Sequence, residues 1–510
     1  MCPSDGTVPV SAQGPVLRPY QAAVIGGVEA EVAAGRKRVA IVAPPASGKT
    51  VTAVAIIAKE VEVGGRVVVL AHRRELVLQA ARALYKLGII NHGVLLPGYA
   101  PRPTAPVQVA SIATFHVRAM CSRKMELPPA TLVVVDECHH TPAKTYRRIL
   151  QEYPDAVIIG LTATPCRGDG RGLGSDFDSL VECPQVAELI ALGFLVPTRV
   201  YAPFRSDLTG VKVERGDYVE KHLARRMDQQ HLVGDVVSHW HRLAERRRTV
   251  VFATGVAHSV HLRDEFRRSG VWAEHIDGTT PTEERDEILA QLAAGTVEVV
   301  CNAMVLTEGW DCPPVSCIVL ARPTRHHGLY RQMIGRVLRP APNKVNAIIL
   351  DHSGACYEHG LVEEPVIWTL SPDRCAQNPV QIARSLGQAP ALTTCPECSA
   401  VRKQGQPCCC GWRPQPKPVA VETEEGELTE VGREPAPTTL DEPEHVYRQL
   451  LWIVGQRGYQ VGWAAYKHKA LFGGWPPRSF AGLEPLPPSA ALLRWVRSEN
   501  LRFAKSERAA

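Results

Sequence analysis

The stretch RVAIVAPPASGKTVTAVAIIAKEV, residues 38–61, reads as a short β-branched apolar run, a loop from Ala43 to Thr50, and then a helical segment. In that order the backbone N–H groups of the loop and the helix N-terminus face one point, where a phosphate chain is cradled. A lysine there reaches the terminal phosphates and a hydroxyl binds Mg2+. Gly48, Lys49 and Thr50 are the residue types this requires, with Ala46 and Ser47 completing the turn. Ala43 stands where the strict G-x-x-x-x-G-K-[ST] pattern has its first glycine. A bare GKT is common and a plain helix N-cap would explain it; the strand before and the helix after are what a phosphate-binding loop demands.

The alternation continues from about residue 15 to 370, with RVVVLA, TLVVVDE, AVIIGLTA, TVVFAT, EVVCNA, SCIVLA and NAIILDH separated by helix-length segments. Strands this apolar are buried on both faces, as in a parallel sheet covered by helices. The expected fold is α/β, with two tandem doubly wound parallel-sheet units at 15–200 and 227–375. Tyr201 to Arg226 breaks the alternation and is the expected junction. A Pro- and Glu-rich stretch at 414–444 reads as a flexible linker, and residues 445–510 as a C-terminal accessory segment.

A chain of 510 residues exceeds one ordinary domain, and a net charge of +6 is compatible with a polyanionic partner without demanding one. No apolar run approaches the ~18 residues that span a bilayer, and MCPSDGTVPVSAQG lacks the regions of a signal peptide. A cytoplasmic protein without membrane association is expected. Of fifteen cysteines, ten are scattered singly and are expected to remain reduced thiols. Five fall together, which points to metal.

TLVVVDECHH, residues 131–140, ends a buried strand in two carboxylates. Ligands of open α/β sheets bind beyond the carboxyl ends of strands. Phosphoryl transfer needs one carboxylate for the metal and a group to orient water, roles that suit Asp136 and Glu137 respectively. Cys138, His139 and His140 are also zinc-ligand types, but three adjacent residues converge poorly on one ion.

CPECSAVRKQGQPCCCGW, residues 395–412, has the two-knuckle spacing of a zinc ribbon. Cys395, Cys398, Cys408 and Cys410 are the expected ligands, with Cys409 the alternative to Cys408. The second knuckle is C-x-C, a departure from C-x-x-C. A thioredoxin-like redox role would need a following helix in a βαβ unit, which this stretch lacks. Beyond it, Trp452, Trp463, Trp475 and Trp495 lie among lysines and arginines, a pattern that fits either base stacking or a helical core.

With APPASGKT upstream and DECHH at this distance, the chain resembles the superfamily 2 DEAD/DEAH-box helicases, whose two RecA-like domains clamp ATP. LRPYQ (17–21), LAHRREL (70–76), LTATP (161–165), VVFATGVAHS (250–259), NAMVLTEGWDCP (302–313) and QMIGRVLRP (332–340) match further motifs in order. The resemblance implies adenine reading by Gln21, and Gly309 and Asp311 near the nucleotide. It places Gln332, Arg336 and Arg339 across the cleft at the phosphates, with Lys49, Asp136 and Glu137 as the catalytic set. It also implies nucleic-acid contacts at Arg73, Thr114 and Arg167, and coupling through Thr162, Thr164 and His139, which is expected to link the nucleotide site to the second domain. The stretches around 161–197 and 338–354, followed by the cysteine cluster, look like RadD-type DNA repair helicases and related phage or prophage proteins. Cys138 stands where alanine is usual and reads as a packing substitution. His140 acquires no role.

The implied activity is an ATP- and Mg2+-dependent DNA helicase or translocase in repair, recombination or replication, with a structural Zn2+. Its expected partners are single-stranded or branched DNA and single-strand-binding or recombination proteins. Its expected location is the cytoplasm, associated with the nucleoid, as a bacterial or phage-encoded protein. Two rival readings remain: an ATP-switched clamp on branched DNA that does not unwind, and an RNA helicase.

Overall fold

Two fully parallel sheets organise the chain, as double-sided burial of β-branched runs dictates. The computed structural model describes residues 16–414 and 442–506, apart from 123, 168–169, 203–210, 215–216, 220–221, 224–226, 228–229 and 461. The first sheet contains β1 (Arg38–Val42), β2 (Val67–Ala71), β3 (His92–Leu95), β4 (Val107–Ser111), β5 (Leu132–Asp136), β6 (Val157–Thr162) and β7 (Ser179–Glu182), in the order β3-β4-β2-β5-β6-β1-β7. Every residue of β2 and β4 is buried. β1 sits beside β6, and β6 beside β5, all parallel, so the loop after β1 and the carboxylates after β5 lie at the same, carboxyl end of the strands.

The second sheet is formed by β8 (Thr198–Tyr201), β11 (Thr249–Phe252), β12 (Ala273–Ile276), β13 (Val299–Asn302), β14 (Cys317–Leu320) and β15 (Ala347–Asp351), in the order β12-β13-β11-β14-β15-β8. Between β8 and β11 lies a small hairpin, β9 (Val213–Glu214) and β10 (Asp217–Tyr218). Two tandem parallel-sheet domains were expected, and two are present.

The exchange between them lies earlier than expected. β7 closes the first sheet, whereas β8 pairs with β15 in the second, so the chain changes sheet between residues 182 and 198. Val186, Leu189, Leu195 and Val196 are buried in the second sheet's core, which draws this segment across. The expected junction, Tyr201 to Arg226, lies largely outside the described residues.

After the second sheet the chain returns to the first. A hairpin of β16 (Ile367–Trp368) and β17 (Ala376–Gln377) brings the carbonyls of Leu370 and Ser371 to the backbone N–H groups of Gly174 and Gly172, at 2.9 and 2.8 Å. Here Cys166 and Cys375 are joined in a disulfide across 209 residues. This corrects the expectation that all the scattered cysteines are thiols. Spacing alone does not reveal a partner that only the return of the chain brings near. Cys138, Cys301, Cys317 and Cys356 are free and buried.

The cysteine-rich segment forms an antiparallel pair, β18 (Leu392–Thr394) and β19 (Val401–Lys403). Cys395, Ala400 and Cys408 are buried in one cluster with residues of the second sheet. Residues 1–416 form one compact unit and 417–510 another. Of the expected linker at 414–444, residues 415–441 lie outside the described ones. The C-terminal unit packs helices Pro443–Arg457, Gly462–Phe472 and Ala490–Ser506 around Val446, Leu450, Ile453, Leu492 and Val496. Trp452, Trp463 and Trp495 pack against that core, while Trp475 is 52% exposed. Among the described residues no helix is long and apolar enough to cross a membrane.

Candidate active site

The loop after β1 turns through residues in left-handed conformation, Ala46 at φ +69° and Gly48 at φ +85°. At Gly48 the positive φ calls for glycine, and Gln21 Nε2 packs 2.6 Å from where a Cβ would stand. Helix Lys49–Glu62 starts at once, presenting its free N–H groups to the loop. The Tyr20 hydroxyl donates to the Ser47 carbonyl at 2.5 Å and the Gln21 amide to the Gly48 carbonyl at 3.3 Å. Gln21 thus lies against the loop backbone, its own carbonyl accepting from Arg18 N–H at 2.9 Å. Within this loop the Ser47 Oγ is buried with no hydrogen-bond partner among the described residues.

At the end of β5, Glu137 has φ +48°, and its N–H donates to Asp136 Oδ1 at 3.0 Å. Lys49 Nζ lies 3.4 Å from Glu137 Oε1 and His139 Nδ1 lies 3.3 Å from Oε2. Burial raises both carboxyls, but Lys49 and His139 outweigh it at Glu137, which is held down at about 2. Asp136 gains less from Lys49 and feels Glu137; burial first, and Glu137 second, push it up to about 6. A divalent cation against Asp136 fits this charge distribution, with Thr50 on the facing helix as the other residue to hold it. Cys138 is wholly buried, and burial pushes its thiol well up, consistent with packing rather than ligation.

The direct contacts of His139 lie within the first domain. Its Nδ1 lies 3.1 Å from Thr162 Oγ1, which in turn is bonded to the Thr164 backbone, all within the first domain. The link across the cleft comes from His140 and His72. His72 Nε2 is 2.8 Å from Glu308 Oε2, Arg73 Nε is 3.5 Å from the same oxygen, and His140 Nε2 is 3.9 Å from Oε1. Burial raises the Glu308 carboxyl, but His140, His72 and Arg73 more than offset it and hold the group well below the usual range. Sequence reasoning passed over Glu308 and His72; a carboxylate within TEGWD, opposite a histidine pair, was the available signal.

The facing wall is helix His327–Gly335. A Cβ on Gly335 would fall 2.1 Å from Pro45 Cβ, and one on Gly328 2.9 Å from Thr164 Oγ1, so both glycines permit contact with the first domain. Gln332 is buried in the same helix. Arg336 donates to the Thr307 and Trp310 carbonyls, at 3.1 Å from Nε and 2.6 Å from Nη1, and burial brings it down to about 10. Arg339 pairs with Asp311. Both guanidinium groups therefore engage the 302–313 loop of their own domain in this structure. A cavity of about 970 Å3 separates the walls, lined by Gln21, Lys49, Thr50, Gly309, Asp311 and Arg339 among others.

The residues expected at nucleic acid are dispersed. Arg73 lines that same cavity, Thr114 accepts from Ser111 Oγ at 2.8 Å within the helix cap there, and Arg167 follows the disulfide-bonded Cys166. The cysteines converge: one Sγ each from Cys395, Cys398, Cys408 and Cys410 lies within 4.8 Å of the others. Cys409 is exposed and outside the group. Four thiolates at this spacing are a fitting donor set for tetrahedral zinc.

Residues 15–167 match the family described as type III restriction enzyme, res subunit, and residues 231–341 the helicase conserved C-terminal domain. A 51.5 kDa protein of a Lactococcus phage is 31% identical over 373 residues, 73% of this chain and 77% of that one. The putative ATP-dependent helicase IRC3 of Saccharomyces cerevisiae is 30% identical over 379 residues, 70% of this chain but only 54% of its own length. Among solved structures, a fragment of a putative HsdR subunit of a type I restriction enzyme from Vibrio vulnificus superposes with a TM-score of 0.53 at 21% identity, covering 67% of this chain and 65% of that one. These matches agree with two parallel-sheet domains enclosing a lysine, two carboxylates and two arginines, and the chain belongs to the superfamily 2 helicases, enzymes that hydrolyse ATP.

Proposed function

We propose that the protein is an ATP- and Mg2+-driven DNA translocase that unwinds or remodels DNA during repair, recombination or replication. The observation that carries the reading is the arrangement around Lys49: its ammonium 3.4 Å from Glu137, with Asp136 alongside, facing a cavity whose other wall carries Arg339. The loop Ala46–Thr50 binds the phosphates, and Gln21 sits where an adenine would be read. Asp136 and Thr50 hold Mg2+, which supplies charge neutralisation when bound. Glu137, kept ionised by Lys49 and His139, orients the attacking water. Arg336 and Arg339, which follow the helix ending at Gly335, supply guanidinium charge that stabilises the transition state. His139, Thr162 and Thr164 carry the state of the carboxylates toward Gly328 and thus to the second domain.

The restriction-enzyme family matched at residues 15–167 and the lettering of 302–313 favour DNA over RNA. Kinship with RadD-type repair helicases, DNA contacts at Arg73, Thr114 and Arg167, and a Zn2+ held by Cys395, Cys398, Cys408 and Cys410 belong to the same proposal. ATP turnover measured with single-stranded, duplex, forked and RNA ligands tests it. Stimulation by DNA together with strand separation or displacement of a bound protein is expected. DNA stimulation without either would make the protein an ATP-switched clamp, and stimulation by RNA alone would overturn the substrate assignment.

A further inference from the structure

Outside the catalytic set, one cluster joins the two domains with metal-ligand chemistry. His72 follows β2, His140 lies in the turn after β5, and Glu308 belongs to the second domain's 302–313 loop. Ligand atoms of all three lie within 4.8 Å of one another. The centroids of the His72 and His140 rings are 4.4 Å apart, the rings tilted by 54°. His140 Nε2 is buried and has no hydrogen-bond partner, while lying 3.9 Å from Glu308 Oε1, too far for a hydrogen bond and close enough for both atoms to bind one ion.

We propose that His72, His140 and Glu308 form a transition-metal site, of zinc type, that bridges the two RecA-like domains. Two imidazoles and a carboxylate are a known three-ligand set for zinc, leaving a fourth position open to water. Hard cations such as Mg2+ and Ca2+ prefer all-oxygen shells, so the nucleotide's Mg2+ is not the expected occupant. The side chain of Glu308 is 10% exposed, and its Oε2 lies 2.8 Å from His72 Nε2 and 3.5 Å from Arg73 Nε, so an ion between His72 and Glu308 replaces their direct hydrogen bond. Because two ligands stand on one domain and the third on the other, a bound ion holds the cleft in the arrangement seen here. This site is separate from the cysteine cluster and does not depend on which nucleic acid the protein acts upon.

The full chain, stripped of metal and dialysed against micromolar zinc(II) without nucleotide or Mg2+, is the material for the test. The two clusters among the described residues predict two zinc ions per chain. His140→Ala and Glu308→Gln are each expected to lose one, and Cys395→Ser with Cys398→Ser to keep one. One ion in the wild type, or two retained in His140→Ala and Glu308→Gln, overturns the proposal. Should those variants fail to fold, cobalt(II) added to the Cys395→Ser, Cys398→Ser protein decides. A nitrogen- and oxygen-ligated d–d spectrum, without the thiolate charge-transfer band, is expected, and no cobalt spectrum at all overturns the site.

Discussion

At Asp136 and Glu137 two adjacent carboxyls in one buried place are driven apart by their neighbours. Lys49 and His139 hold Glu137 down at about 2, so it is ionised throughout the working range. Asp136, pushed up to about 6 by burial and then by Glu137, gains a proton as the pH falls through that value. Metal binds the ionised form only, so the affinity of the nucleotide-bound site for Mg2+ should fall about tenfold per pH unit below about 6. Calorimetric titration of Mg2+ with a non-hydrolysable ATP analogue between about pH 7.5 and 5 reads this; an invariant affinity would place Asp136 away from the metal. Glu137→Gln removes the water-orienting carboxylate and is expected to lower kcat by roughly 10^2–10^4 while nucleotide still binds. Lys49→Ala is expected to abolish turnover with DNA binding largely kept. Wild-type turnover in either variant would refute the assignment.

Among the elements, strand and loop were readable because β-branched runs flanked by helices have one common arrangement, and because glycine, lysine and carboxylates sit at fixed places on it. What the reading missed are contacts between elements distant in sequence. In the sequence His139 carries a coupling role and His140 none, yet His139 turns to Thr162 and His140 to Glu308, a difference set by packing. Gly335 shows the same limit. Within its helix alanine would be the better residue by about 1 kcal/mol, but a Cβ there would fall 2.1 Å from Pro45. Gly335→Ala is therefore expected to leave thermal stability unchanged or slightly raised, while ATP turnover drops because the second domain no longer seats against the loop. Loss of stability in parallel with activity would show that the glycine serves the fold instead.

Across the whole molecule, the order of sheets was legible but the path between them was not. The chain crosses to the second sheet before residue 198, then returns after Trp368 to lie on the first domain. Burial of Val186, Leu189 and Leu195 causes the first crossing, and no local signal marks it. The return is fastened by Cys166–Cys375, one residue beyond the LTATP stretch that contacts the second domain's helix. A cross-link over so long a loop contributes about 2–4 kcal/mol, chiefly by restricting the unfolded chain. Reductant should therefore lower the unfolding temperature of the 1–416 unit by roughly 2–4 °C or more and expose the 367–377 hairpin to trypsin at Arg374. The zinc-type thiols also respond to reductant, so Cys375→Ser provides the control. It should show the lowered temperature without reductant and no further change with it. A reductant effect that persists undiminished in Cys375→Ser would assign the response to the cysteine cluster and leave the hairpin held by its backbone hydrogen bonds alone.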